Sequence, residues 1–346
     1  MARRLRALNV QAVVAGSPQG LQLTDRLARE LGLPGNGAIS TAARCDVGAQ
    51  VEALAACGIA APRLLRTNSL DRAREWAAFM ALPAYVVTAA DTGVDVTESV
   101  CASPREIGEA WHAVRSTLPA RGAGIGVAIR EHLYGHRYVV HSISGRGDVA
   151  PAHTVTDVWA RHRSVTGATD RLELLPQSAL MARLLTPYIL RVLSALQVST
   201  GPMSCEVVYT PGRGPLLLRA TPMPDTSPAG RAVRTTLGSD VYRDTVYGAI
   251  HGRVRQPVRS PGPLHLTRVP LLPSADGALD RWLLRTIRYL PTVTHVDAQL
   301  MPRVPVTAHV SPGELVLRSS AERAVEADYR VIRAIEQLGL YAGGCS

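Results

Sequence analysis

Two alternating apolar stretches, residues 205–210 and 215–221, flank Pro211-Gly212-Arg213-Gly214 and together read as a β-hairpin with a four-residue loop. Closing that loop sets Thr210 opposite Pro215, and stepping back along both strands sets Glu206 opposite Arg219 and Ser204 opposite Thr221. Directly paired residues project from one face of a sheet, so these four polar side chains are expected to cluster. A guanidinium matches a carboxylate in fork geometry. Arg219 then supplies the positive charge itself, which leaves no place on that face for a divalent cation.

Other catalytic arrangements find little support. The chain contains no lysine, so all 38 basic residues are arginine. Schiff-base chemistry, a P-loop lysine and lysine clamps on phosphates are thereby excluded. Ten histidines, among them His132, His136, His153 and His162, form no H-E-x-x-H or similar ligand spacing, and no G-x-S-x-G is present. The five cysteines, Cys45, Cys57, Cys101, Cys205 and Cys345, are odd in number, widely spaced and free of C-x-x-C. This argues against a disulfide framework or a zinc site and fits a reducing interior. Cys205 falls on the face opposite Glu206, where a buried, inert thiol is expected.

With 346 residues, 46% of them hydrophobic, the chain can bury a large core, in two or three lobes rather than one. A formal charge of +10 suits an acidic partner. Yet the arginines are scattered except at Arg3-Arg4-Leu5-Arg6, and only 4% of residues are aromatic, so nucleic-acid binding is not expected. The basic start and short apolar run of the first twenty residues are interrupted by Asn9 and Gln11, which predicts a buried strand over 10–15 rather than a signal peptide. No run approaches the ~20 apolar residues of a membrane span. A cytoplasmic protein without membrane contact is the expectation.

The elements that must position the polar cluster follow from pattern and punctuation. A helix capped by Thr24 and stopped by Gly32 follows the first strand, and a second helix runs from an Asp46 cap to Gly58. Strand 63–67, helix 69–80 and strand 84–88 come next, then a turn over 89–95 and a return strand over 96–100. Ser103-Pro104-Arg105-Glu106 has the form of a capping box opening a helix to Leu118. Strands are expected over 124–131 and 137–143. The longest helical pattern, 177–198, is kinked or restarted at Pro187 and delivers the chain into the hairpin. Beyond it lie a helical stretch 227–252, strand 264–271, helix 279–290, strand 292–299, a hairpin 306–319 and a last helix 321–338.

Several of these words resemble those of ATP-grasp ligases of the carboxylate–amine or amino-acid (dipeptide) ligase type. The segments AGSPQGLQLTDRLARELGLPGN, AARCDV, EALAACGIAAPR and EADYRVIRAIEQLGLY and the hairpin itself occur in that family's order and spacing. The resemblance implies an α+β chain: an ATP-grasp fold of two α+β lobes, residues 83–150 and 151–346, preceded by a partial α/β pre-ATP-grasp segment over 1–82. The family normally has a further βαβ segment before this point, so the N-terminal domain is expected to be truncated or to begin upstream.

The resemblance also implies what each site position should hold. ATP-grasp chemistry activates a carboxylate as an acyl phosphate that an amine attacks, and cations must neutralise the phosphates as the phosphoryl group moves. Val47 and Thr88 stand where the family has its two phosphate lysines. Arg130 and Arg137 stand where acidic residues read the nucleotide, with Glu131 nearby, either shifted into that role or an exposed strand-end carboxylate. Glu206 matches the first metal acid, Arg219 replaces the second, Thr221 takes the place of an often polar ligand, and Met223 replaces an arginine that steadies the phosphoryl group. Asp157-Val158-Trp159 resembles a segment near substrate; a packed Trp beside a surface Asp is the other reading. The expectation is a degenerate pseudoenzyme without cofactor, which binds a small carboxylate or amino-acid ligand or a protein partner, including a second copy. ATP and Mg²⁺ belong to the alternative, a working ligase with a non-standard site.

Overall fold

The computed structural model describes residues 2–37, 40–91, 98–118, 126–164, 167–255, 263–297 and 299–342. In chain order its elements are α1 (Ala2–Ala7), α2 (Leu21–Leu31), α3 (Thr41–Cys45), α4 (Val47–Ala56), β1 (Leu64–Thr67), α5 (Leu70–Met80), β2 (Tyr85–Ala89), β3 (Ser99–Cys101), α6 (Ile107–Thr117), β4 (Val127–Glu131), β5 (His136–Gly145), β6 (Ala152–Arg163) and β7 (Thr169–Leu174). There follow α7 (Leu180–Ala195), β8 (Gly201–Thr210), β9 (Gly214–Thr221), α8 (Pro228–Thr236), α9 (Val241–His251), β10 (His265–Pro270), β11 (Gly277–Ala278), α10 (Arg281–Arg288), β12 (Val293–Val296), β13 (Pro305–Val306), β14 (Glu314–Ser319) and α11 (Glu322–Gln337). The chain forms two units, Met1–Thr156 with Leu180–Pro224 and Val241–Arg255, and Asp157–Ala179 with Asp225–Asp240 and Gln256–Ser346.

The first unit is built on two antiparallel ladders. In one the order is β1-β4-β2-β3, with Val87 and Ile129 paired at its centre. Its core joins Tyr85, Val87, Val127 and Ile129 to Ile107, Trp111 and Val114 of α6 and Ala73 and Ala77 of α5. The Tyr85 hydroxyl donates to the Ala77 carbonyl (2.6 Å) and accepts from Leu82 N (2.8 Å), so the one polar atom of a buried ring is satisfied. In the other ladder β5 pairs with β8 and β8 with β9.

Local chemistry sets many of the helix ends. Asp46 accepts from Gly48 N and Ala49 N to start α4, and Ser69 accepts from Arg72 N to start α5. Gly32 ends α2 at φ 69, a left-handed conformation that glycine adopts at low cost. Pro187 lies inside α7, which continues through it.

The second unit holds the ladder from β6 through β7, β10 and β14 to β12. Val325, Ile332 and Ile335 of α11 and Leu284 and Ile287 of α10 pack with Leu315 and Leu317 in its core.

Several expectations need correction. Residues 10–15 form no strand: they are half-buried or exposed, and no described strand pairs with them, whereas the Arg3–Arg6 run lies in α1. A strand needs a ladder partner, which apolar composition alone does not provide. The 306–319 hairpin is absent as well, because β13 pairs with β11 while β14 pairs with β10 and β12. Helix α2 starts at Leu21 rather than after Thr24. Glu106 closes its turn by accepting from Ala102 N and the Ser103 hydroxyl (both 2.9 Å), and Ser103 caps nothing. The turn expected at 89–95 falls largely on residues 92–97, outside the described residues; the return strand is β3.

Candidate functional site

The hairpin brings together the cluster its sequence predicts, by a different route. Thr210 pairs with Gly214, so the loop is one residue shorter than expected. A bulge at Leu218 then inserts one extra residue into β9, and the register is restored at Glu206↔Arg219 and Ser204↔Thr221. The bulge frees the Leu217 N–H, which donates to the Tyr188 hydroxyl of α7 (2.7 Å). All four polar residues are half-buried, and the intervening Cys205 and Ala220 are fully buried, as alternation requires. Burial pushes the Cys205 thiol up to about 12, the inert state expected of it.

Arg219 grips Glu206. Its Nε and Nη2 both lie on Oε1, at 2.8 and 2.6 Å. In the adjacent strand, His141 pairs with Ser204 and Val139 with Glu206, which adds an imidazole to the same face.

Helix α4 ties this hairpin to the other ladder, through a residue the sequence reading did not single out. The Gln50 side-chain amide donates to the Ala220 carbonyl (2.7 Å) and accepts from Ala220 N (2.9 Å), capping the backbone of β9 between Arg219 and Thr221 as a neighbouring strand would. One turn earlier, Val47 is buried against Ala90 and Ala128, and its N–H donates to the Ala90 carbonyl (2.9 Å). The first turn of α4 therefore presents an apolar plug where the resemblance puts a lysine. Thr88, half-buried in β2 opposite Ala128, is equally uncharged. Met223 is buried.

Arg130 and Arg137, which the resemblance puts at nucleotide-reading positions, are buried and converge on a carboxylate that sequence pattern did not reveal. Arg130 Nη2 lies 2.6 Å from Glu98 Oε1, and Arg137 Nη1 lies 3.0 Å from Oε2. Burial alone would raise the Glu98 pKa, but the two guanidiniums outweigh it and hold the group well below the usual carboxylate range. Glu131 is no exposed strand-end carboxylate. It is buried, accepting from Arg63 N (2.8 Å) and from Arg213 of the hairpin loop (2.9 Å). A strand end is exposed only if no loop covers it, and here Arg213 reaches over.

The remaining candidates do not assemble into a site. His162 pairs with Glu173 and His153 with Ser144, at 2.8 Å each. Trp159 is buried and donates from Nε1 to Asp157, the packed-Trp arrangement. Among the described residues no group of three His, Cys, Asp or Glu side chains is placed to hold a metal ion, and no helix is long and apolar enough to cross a membrane.

These ladders and helices form the ATP-grasp fold. An L-amino acid ligase from Bacillus licheniformis superposes with a TM-score of 0.70 over 96% of this chain and 82% of its own, at 16% identity. An N5-carboxyaminoimidazole ribonucleotide synthetase solved with ADP gives 0.67 over 92% and 78%, at 11% identity. A phosphoribosylglycinamide synthetase from Anaerococcus prevotii gives 0.56 over 96% and 83%, also at 11%. No family model matches the sequence, and no curated protein matches it.

Proposed function

We propose that this chain is a degenerate ATP-grasp protein that holds a small carboxylate or amino-acid ligand, or a protein partner, in a biosynthetic pathway and does not carry out ATP-dependent ligation. The observation that carries this reading is the seating of Arg219 on Glu206 at 2.6 Å. Mg²⁺ takes oxygen ligands, carboxylates foremost, in a near-octahedral shell. The hairpin face offers one carboxylate, engaged by an internal cation, and two hydroxyls, so its residues do not fit the metal. The uncharged Val47, Thr88 and Met223 support the same reading on the phosphate side. Each missing contact of this kind commonly removes a few kcal/mol of transition-state stabilisation.

Thermal unfolding with Mg·ATP, with ATP in chelator and with a panel of free L-amino acids tests the proposal. Stabilisation by an amino acid without a nucleotide requirement is the expected result. A metal-dependent rise in Tm with Mg·ATP overturns it in favour of a working ligase.

A further inference from the structure

Helix α10, with the sequence RWLLRTIR, has one face whose chemistry the site does not use. Leu284 and Ile287 anchor it in the core of the second unit. Its outer face is exposed at Arg281, Trp282, Arg285, Thr286 and Arg288, and the stripe continues to Tyr289. Positions 282, 285 and 289 lie three and four residues apart, on one side of the helix.

Trp282 is 65% and Tyr289 74% exposed, while Trp111 and Trp159 are buried. Two large rings left mostly in water forgo most of the stabilisation that burial would give them. A guanidinium lies over both rings: the Arg281 carbon is 5.7 Å from the Trp282 centroid, and that of Arg285 is 5.6 Å from the Tyr289 centroid. These are cation–π distances. No acidic side chain lies between 281 and 289, and the Asp280 carboxylate is turned to the helix start, where it accepts from Trp282 N and Leu283 N. Exposed Trp, Tyr and Arg in one stripe are the residue types enriched at the energetic centres of protein interfaces.

We propose that this stripe docks an acidic segment of another protein, with Trp282 and Tyr289 packing on its apolar side chains and Arg281 and Arg285 pairing with its carboxylates. The charge pattern selects the occupant. A second copy set face to face by a two-fold axis would oppose arginine to arginine. Phosphate recognition alone would need no exposed indole and phenol beside the guanidiniums, whereas a protein segment offers those rings apolar side chains. A guanidinium held against a ring keeps its N–H edge available to carboxylates. The surface belongs to the second unit, so this proposal stands whatever the hairpin binds.

Trp282 is its own reporter, as the exposed indole among mainly buried ones. The test titrates the full chain, followed by tryptophan emission, with an amphipathic peptide of about 16 residues bearing Glu and Leu on alternate helix turns. A peptide with Lys replacing Glu and a single-stranded oligonucleotide are titrated in parallel. The expected result is a blue shift with the acidic peptide that weakens as salt rises and is absent in Trp282→Ala, with affinity reduced about tenfold or more in Arg281→Gln/Arg285→Gln. Circular dichroism checks that these exposed substitutions leave the fold intact. No response to the acidic peptide, an equal response to the Lys peptide, undiminished binding by the double variant, or a stronger response to the oligonucleotide overturns the proposal.

Discussion

The two units each bury a three-membered charge cluster, and the two clusters are opposites. In the first unit one carboxylate, Glu98, lies between two guanidiniums, Arg130 and Arg137. In the second unit one guanidinium, Arg268, lies between two carboxylates, Asp225 and Glu314, with Nη2 2.6 Å from the latter, and also donates to the Ser227 hydroxyl (3.2 Å). Burial would lower the Arg268 pKa, but its two acids raise it further above the ordinary value. The second cluster ties the start of α8 to β10 and β14, a structural task. The first holds the two arginines that stand where the resemblance implies acids, and it carries the excess charge of the other sign. Like the Arg219–Glu206 pair, it engages its carboxylate with guanidinium from the same chain.

The contrast predicts unequal responses to deletion. Glu98→Ala leaves two buried guanidiniums, which have no neutral state to escape into. A loss of about 3–5 kcal/mol is expected in urea unfolding. Arg268→Met leaves two carboxylates that can bind protons, so its loss should be smaller and should shrink as the pH falls toward about 5. Equal losses that ignore pH would break the comparison.

A milder test uses Glu98→Gln. Glu98 has a folded pKa below its ordinary value of 4.5, so its pairing stabilises the fold fully above that value and is lost as pH falls through it toward the folded pKa. The stability gap between the natural protein and Glu98→Gln should hold steady from pH 6 to 8 and narrow below about 4.5. A gap that widens in acid would reverse the assigned sign.

Arg219→Glu places two carboxylates opposite each other on the hairpin. Because Arg219 is 31% exposed, screening limits the cost to about 1–2 kcal/mol in chelator. Millimolar Mg²⁺ should recover part of it, and a variant as stable as the parent in chelator would refute the pairing. Smallest in expectation is Gln50→Leu, about 1 kcal/mol or slightly more, for unsatisfying the Ala220 backbone. Hydrogen exchange at Ala220 should rise with it.

What the sequence disclosed and what it concealed divide along the range of the interactions. The Asp46 and Ser69 caps are local, and so is the alternation that aligns Ser204, Glu206, Arg219 and Thr221 on one face. Even there, two local errors cancelled: the loop is shorter than its turn residues suggested, and the Leu218 bulge makes up the difference. Glu98 and Gln50 escaped because their roles exist only once distant strands converge. Gln50 meets Ala220 across 170 residues, and nothing in the surrounding helix pattern marks it. The failed strand at 10–15 and the failed hairpin at 306–319 have the same origin, since composition indicates a strand and not its partner. The stripe on α10 was written in RWLLRTIRY, but only the packing of Leu284 and Ile287 shows which side faces water.

If Arg219 takes the place of a metal ion on the hairpin, as proposed, the protein should leave a divalent cation and its nucleotide unbound. Electron paramagnetic resonance of Mn²⁺, a paramagnetic substitute for Mg²⁺, measures this directly when the protein is titrated into a solution of Mn²⁺ and ATP. The spectrum of protein-free Mn·ATP is expected at every protein concentration. A protein-bound manganese signal that disappears in Glu206→Gln would contradict it.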